Sequence, residues 1–310
     1  MIVLENMTEK THNRSFMTKR EMVDFLYEVD KSSFEPYFKQ SYSMSPEPRA
    51  VGTICLSNIC EMSCEFCAYR KANELDRFIL SLSDSESLCD LAVELSLGEV
   101  ILESGVLPEE SYPILRKLLE RLKRDNDLKF YLDIGSETLI RHPEPLGEYS
   151  RVFIDYVPTS QSFMAELGCF SQGKELENVL AKHDNIDIYS NYIVDLPGQS
   201  FEDMAEDIIR LCDSDLRGIK ISPFLPQKGT EYGIFSVACL LTTLKVITLV
   251  RLRRPDWDIF IDSSRRHLDY EDSLKQAVSV GSNVVVMALS LSSLTESKPP
   301  DLKWLNKRGF

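Results

Sequence analysis

Cys60-Glu61-Met62-Ser63-Cys64-Glu65-Phe66-Cys67 sets three thiols at C-x3-C-x2-C spacing in one short stretch. It follows directly on Ala50 to Ser57, an apolar run with Val51, Ile54 and Leu56 that reads as a buried strand. Thiolates are soft ligands that favour iron-sulfur clusters. Three of them on one loop can hold three irons of a 4Fe-4S cube and leave the fourth open to a small molecule. Structural zinc would want four nitrogen or sulfur ligands in paired spacings, and no second Cys or His pair lies at a suitable distance. Cys60, Cys64 and Cys67 are therefore the candidate metal ligands. The other cysteines, Cys55, Cys89, Cys169, Cys212 and Cys239, are scattered and read as small core residues.

Outward from this loop the chain settles into a rhythm of strand, loop and helix. Upstream, Lys19 to Ser41 reads as two short helices that cover a barrel end, behind a polar arm, Met1 to Thr18. Downstream, the expected strands are 99–103, 129–134, 151–157, 186–196, 218–224, 258–262 and 283–289. The expected helices between them are 84–97, 109–124, 136–148, 174–182, 200–212, 236–251 and 270–279. With 50–57 this makes eight strands. Parallel neighbours need crossovers, so the pattern fits a closed (β/α)8 TIM-type barrel over 46–310 with an N-terminal extension over 1–45; an open doubly wound sheet is the alternative.

With 310 residues, 43% of them hydrophobic, the chain can bury a large core. A net charge of −14 argues against a general nucleic-acid binder. Eight cysteines without an apolar leader point to a reducing compartment, by default the cytoplasm. The most apolar helical stretch, 236–251, contains Lys245 and is too short and polar for a membrane span.

In such a barrel, chemistry gathers at the carboxyl ends of the strands. There the sequence offers Phe66, Tyr69 and Arg70 beside the cysteines, then Glu103, Ser104 and Gly105, then Asp133 and Ser136. Each has a plainer reading: Phe66 as a core aromatic, Glu103 as a loop cap, and Pro197-Gly198 further on as an ordinary turn.

The thiol spacing with an aromatic before the last Cys resembles the radical S-adenosylmethionine (radical SAM) superfamily. Leu56-Ser57-Asn58, Glu103-Ser104-Gly105, Asp195-Leu196-Pro197-Gly198-Gln199 and Pro223-Phe224-Leu225-Pro226 are similar to segments of its biotin synthase branch, most of all the HydE and PylB types. The resemblance implies one 4Fe-4S cluster on Cys60, Cys64 and Cys67, with S-adenosylmethionine chelating the open iron and yielding a 5'-deoxyadenosyl radical on reduction. It implies a site with Phe66 against the adenine, Ser104 and Gly105 near the methionine amino group, and Tyr192 and Val194 along the nucleoside. Tyr69, Glu103 and Ser136 complete the expected cofactor-binding set. It also implies a small-molecule substrate and an electron donor such as ferredoxin or flavodoxin.

The chain departs from that pattern in ways that matter. A Glu-Thr pair after strand four becomes Val157-Pro158, an arginine falls at Gly168 with Lys174 the nearest cation, and a small-Gly-Glu triplet becomes Ile134-Gly135-Ser136. PylB-type amino-acid contacts fall at Ile101, Arg265 and His267, which disfavours lysine as substrate. Arg265 and His267 after strand seven, with Lys220 on strand six, suggest instead a small anionic or sulfur-bearing substrate, as in maturation of a metallocofactor. Lys220 could equally pair with a strand-end acid such as Glu103. Competing readings are a cluster carrier that no longer cleaves S-adenosylmethionine, a PylB-like mutase and a zinc-stabilised barrel.

Overall fold

The computed structural model describes residues 17–294, apart from 126, 156, 157, 159, 161, 162, 164–166, 169–172, 184 and 263–269. Eight parallel strands close into a barrel in sequence order, β1 Arg49–Ser57, β2 Glu99–Ser104, β3 Lys129–Asp133, β4 Arg151–Ile154, β5 Asp187–Val194, β6 Gly218–Pro223, β7 Asp258–Asp262 and β8 Val284–Leu289. Pairing of β1 with β8 through Arg49–Val284 to Ile54–Leu289 rules out the open sheet.

Two helices precede the barrel, α1 Lys19–Tyr27 and α2 Lys31–Met44. Among the described residues seven follow, α3 Leu82–Glu94, α4 Tyr112–Asp125, α5 Ser136–Arg141, α6 Gly173–Leu180, α7 Phe201–Cys212, α8 Leu240–Arg253 and α9 Tyr270–Ser279, with short 3-10 turns at Glu144–Gly147, Glu231–Ile234 and Leu291–Leu294. Thr18 and Ser200 open α1 and α7 with reciprocal capping boxes to Glu21 and Asp203. α1 packs on α7 and α8, and α2 on α8 and α9.

Two expected helices lose four residues or more at one end. The 136–148 segment breaks after Arg141 because Pro143 and Pro145 cannot extend an α-helix and instead frame a 3-10 turn. The 236–251 helix begins only at Leu240, capped by Cys239, since the chain before it is spent on the Glu231–Ile234 turn. Among the described residues no helix is long and apolar enough to cross a membrane.

Strand alternation sorts side chains into an inner and an outer set. Outward residues such as Ile54, Val100, Leu132, Val152, Ile219, Ile259 and Val285 fill the layer under the helices. Inward, Val51, Ile101, Tyr131, Phe153, Tyr189, Phe260, Val284 and Val286 form a plug, its four rings packed with centroids 5.3–5.8 Å apart. Below it, at the amino ends of the strands, Arg49 donates to both oxygens of Asp258 at 2.8 Å and to Glu99 at 2.9 Å, and Arg151 donates to Glu99 at 2.7 Å. The inner core is thus apolar with an ionic floor, and the barrel opens the other way.

Candidate active site

The cysteine loop leaves β1 at Ser57, and the chain returns beside it, where Ile79 bridges Ser57 antiparallel and the Leu80 N–H donates to the Leu56 carbonyl. Within it Arg77 is the clamp. Its guanidinium donates to four backbone carbonyls, those of Asn58 and Tyr69 from one nitrogen and those of Arg70 and Asn73 from the other, at 2.6–2.9 Å. Asn58 holds the closing side, donating to the Asp76 carbonyl and accepting from the Phe78 N–H. The loop is tied to its surroundings by Glu61 N–H to Val106, Glu65 N–H to Leu167 and Tyr232 N–H to Glu65. Arg70 and Glu65 pair at 2.9 Å.

Cys60, Cys64 and Cys67 are half-buried on this loop. Burial pushes the Cys60 thiol up, and backbone hydrogen bonds at Met62 and Val106 oppose that. Among the described residues no three His, Cys, Asp or Glu side chains gather where a single metal ion could sit. A cluster asks something else, one thiolate for each of three irons, and three soft donors on a clamped loop suit it. Gly105 makes room for the loop: a Cβ there would lie 2.2 Å from the Ile59 carbonyl oxygen and 2.7 Å from the Cys60 Cβ. Of the other cysteines, Cys89 and Cys212 are buried with thiols pushed up to about 12 by desolvation. Cys239, expected in the core, is exposed because it caps α8, and Cys169 lies outside the described residues.

Phe66 packs with Ile193 against Phe163, Leu167, Leu196, Phe224, Tyr232 and Ala238, an apolar shelf beside the loop. Tyr69 turns inward, its hydroxyl 3.4 Å from the Cys55 sulfur. Tyr192 and Val194 are corrected: both are fully buried in the outer layer, and Tyr192 receives a hydrogen bond from Gln199 on that side. The strand-five residues of opposite parity, Asn191 and Ile193, take the inner side. Ser104 spends its hydroxyl on the Gly105 carbonyl. Ser136 spends its own on β4, accepting from the Asp155 N–H at 2.9 Å while its N–H donates to the Asp155 carboxylate at 2.7 Å. Asp155, not Ser136, therefore carries the charge at that corner.

Above the aromatic plug lies a polar tier. Lys220 donates to Asp133 at 2.6 Å and to Glu103 at 2.8 Å and lies over the Phe153 ring. Burial alone would depress its ammonium, but Asp133, Glu103 and Asp262 outweigh that and hold it above the ordinary lysine value. Glu103 is raised by desolvation and by Asp133 and Asp262, against the pull of Lys220. Asp155, walled by protein yet open to the mouth, is raised by desolvation and by Asp133. Asn191 donates to the second Asp133 oxygen at 3.1 Å.

Lys220 is thus committed to two acids, and the anionic-substrate expectation loses its one described cation. Arg265, His267 and Val157 lie outside the described residues. At Gly168 the backbone runs at φ +65°, and a Cβ would meet the Ser63 carbonyl oxygen at 2.9 Å, so the cysteine loop occupies the space a side chain would need.

No protein-family model matches the chain. It is similar to the [FeFe] hydrogenase maturase subunit HydE of Thermotoga maritima, 24% identical over 271 residues, covering 81% of this chain and 74% of that protein. It is similar to biotin synthase of Thermotoga petrophila, 24% identical over 262 residues, covering 80% and 84%. The crystal structure of methylornithine synthase (PylB) shares the fold, with a TM-score of 0.77 at 20% identity over 92% of this chain and 88% of that one. The chain is similar in sequence and in fold to radical SAM enzymes of the biotin synthase, HydE and PylB branch. A radical SAM enzyme works with a 4Fe-4S cluster and S-adenosylmethionine, and the donor chemistry of the cysteine loop fits the first of these. Sequence reasoning missed Arg77, Asn191, Ile193, Asp155 and Asp262. Strict alternation from Tyr189 would have found the strand-five pair, but β5 carries apolar residues on both faces.

Proposed function

We propose that Cys60, Cys64 and Cys67 ligate a 4Fe-4S cluster whose open iron takes S-adenosylmethionine, and that the chain acts on a small molecule seated in the polar tier. When bound, the pair supplies one-electron cleavage of the sulfonium and so a radical able to abstract hydrogen. The chain's own part is placement. Arg77 and Gly105 fix the loop over the barrel mouth, and Phe66 with Ile193 offers an apolar shelf of a kind that suits a purine face. The aromatic plug keeps water out from beneath. The observation that carries this reading is the position of the clamped three-thiol loop at the carboxyl end of β1 in a closed parallel barrel.

A HydE-like role in building a metallocofactor fits the 24% identity to HydE, and a sulfur-bearing substrate remains compatible with the site. Anaerobic reconstitution tests the function: iron and sulfide analysis, low-temperature electron paramagnetic resonance with and without S-adenosylmethionine, then assay for 5'-deoxyadenosine after reduction. A perturbed signal and nucleoside formation are expected. A cluster that forms without either would make the chain a cluster carrier, a reading that the side-chain-free Gly168 favours.

A further inference from the structure

Cys55, expected in the core, faces the interior of the barrel instead. Val51 belongs to the inner plug, and Ile54 and Leu56 belong to the layer under the helices, so Thr53 and Cys55 share the side of Val51. Cys55 stands opposite Glu103 of β2, an acid of the polar tier, and its sulfur lies 3.4 Å from the hydroxyl of Tyr69 on the cysteine loop. The thiol therefore lies between the tier and the loop. It is half-buried, and burial pushes it up to about 11, so it carries its hydrogen at neutral pH.

Two observations on the same wall point to a ligand. Thr53, one step below Cys55 on β1, is 4% exposed, and its hydroxyl makes no hydrogen bond with a described residue. A buried polar atom without a partner forfeits free energy that a fitting ligand restores. Ala288, the β8 partner of Thr53, is exposed although it shares the inner side with Val284 and Val286. Open space therefore adjoins the Thr53 and Cys55 wall, above the plug.

We propose that Cys55 is the hydrogen-atom donor that ends the radical reaction, and that Tyr69 restores it. The proposal rests on the proposed function in taking the tier as the place where a substrate radical forms. A carbon radical there takes hydrogen from Cys55: the S–H bond breaks, a C–H bond forms, and a thiyl radical remains on sulfur. An S–H bond is weaker than an ordinary aliphatic C–H bond, so the transfer runs downhill. The thiyl then takes the Tyr69 hydroxyl hydrogen across the 3.4 Å contact. The tyrosyl radical is returned to the phenol by one electron from the one-electron protein reductant that serves the cluster and one proton from water. Each turnover therefore consumes one electron more than cleavage of the sulfonium needs.

The test needs no identified substrate. The full, cluster-reconstituted chain is reduced with dithionite in deuterium oxide with S-adenosylmethionine alone, and the 5'-deoxyadenosine formed is analysed by mass spectrometry. With the tier empty, the thiol is the weakest exchangeable bond between loop and tier, so the nucleoside should carry one solvent deuterium. Cys55→Ser, close to isosteric but with an O–D bond too strong to yield, should cut that label at least fivefold; Cys55→Ala serves if the serine variant does not fold. Freeze-quenched samples of the parent should show a tyrosyl signal by electron paramagnetic resonance, and Tyr69→Phe should abolish it while keeping the label of the first turnover. Unlabelled nucleoside from the parent overturns the proposal, as does label undiminished in a folded Cys55→Ser or a tyrosyl signal that survives Tyr69→Phe. A chain that forms no nucleoside fails the functional reading, whereas one that forms it without deuterium fails this proposal alone.

Discussion

Gly105 and Ile59 meet backbone to backbone: a Cβ on the glycine would stand 2.2 Å from the Ile59 carbonyl oxygen. The end of β2 and the start of the cysteine loop therefore form one packed unit, and a methyl group is enough to part them. Gly105→Ala should destabilise the chain by about 1–3 kcal/mol and lower iron per chain at least twofold after reconstitution. Gly147→Ala, where nothing lies within 4 Å of the new Cβ, should change neither. Equal iron content in the two variants would contradict the packing argument.

Arg77 binds the loop through four carbonyls, and no lysine can copy a planar fork that reaches all of them. Arg77→Met should lose most of the cluster, and Arg77→Lys an intermediate share, both read as iron and sulfide after gel filtration. The barrel's thermal unfolding should move far less than the iron content. A lysine variant that loads like the parent would show the fork to be unimportant.

The strand-five correction makes a paired forecast. Val194 lies in the helix-facing layer, so Val194→Ala should lower stability by about 2 kcal/mol and leave S-adenosylmethionine binding alone. Ile193, on the shelf with Phe66, should behave in the opposite way: Ile193→Ala weakens S-adenosylmethionine binding several-fold with a smaller effect on unfolding. Calorimetric titration and denaturant unfolding of both variants separate the two faces, and reversed results would place the inner face wrongly.

Asp155 is raised above the ordinary 3.8 of an aspartate by desolvation and then by Asp133. The folded state therefore holds this proton more tightly than the unfolded chain does. Its ionisation costs stability that is absent below about pH 4 and grows as pH climbs from there to the raised value. Asp155→Asn keeps an oxygen to accept from the Ser136 N–H but removes the charge. Its melting temperature should equal the parent's below pH 4 and exceed it at pH 7. A variant less stable than the parent at pH 7 would refute this.

How much of this was legible in the sequence depended on how local each signal was. The three thiols and the strand before them needed only spacing and an apolar run, and the barrel needed only a count of alternating elements. Lys220 was readable as an inward residue on an apolar strand, and Glu103 by its place at a strand end. Tyr192 and Val194 were misplaced because β5 is apolar on both faces, so composition could not tell inside from outside; only pairing with β4 and β6 fixes the parity. The Arg77 clamp was invisible since its partners are backbone carbonyls, which carry no sequence mark. The acidity of the tier was hidden differently: its acids come from four strand ends, far apart in sequence, and only closure of the barrel sets them together.

The ionic floor of Arg49, Glu99, Arg151 and Asp258 beneath the ring plug leaves the described barrel with one doorway, overhung by the cysteine loop. Whatever enters must leave by the same threshold. A reductant protein that docks on that face would then seal in the molecule it is meant to activate, so loading must precede docking and release must await departure. Such a one-door vessel imposes turn-taking, and an excess of the docking partner should slow turnover rather than speed it.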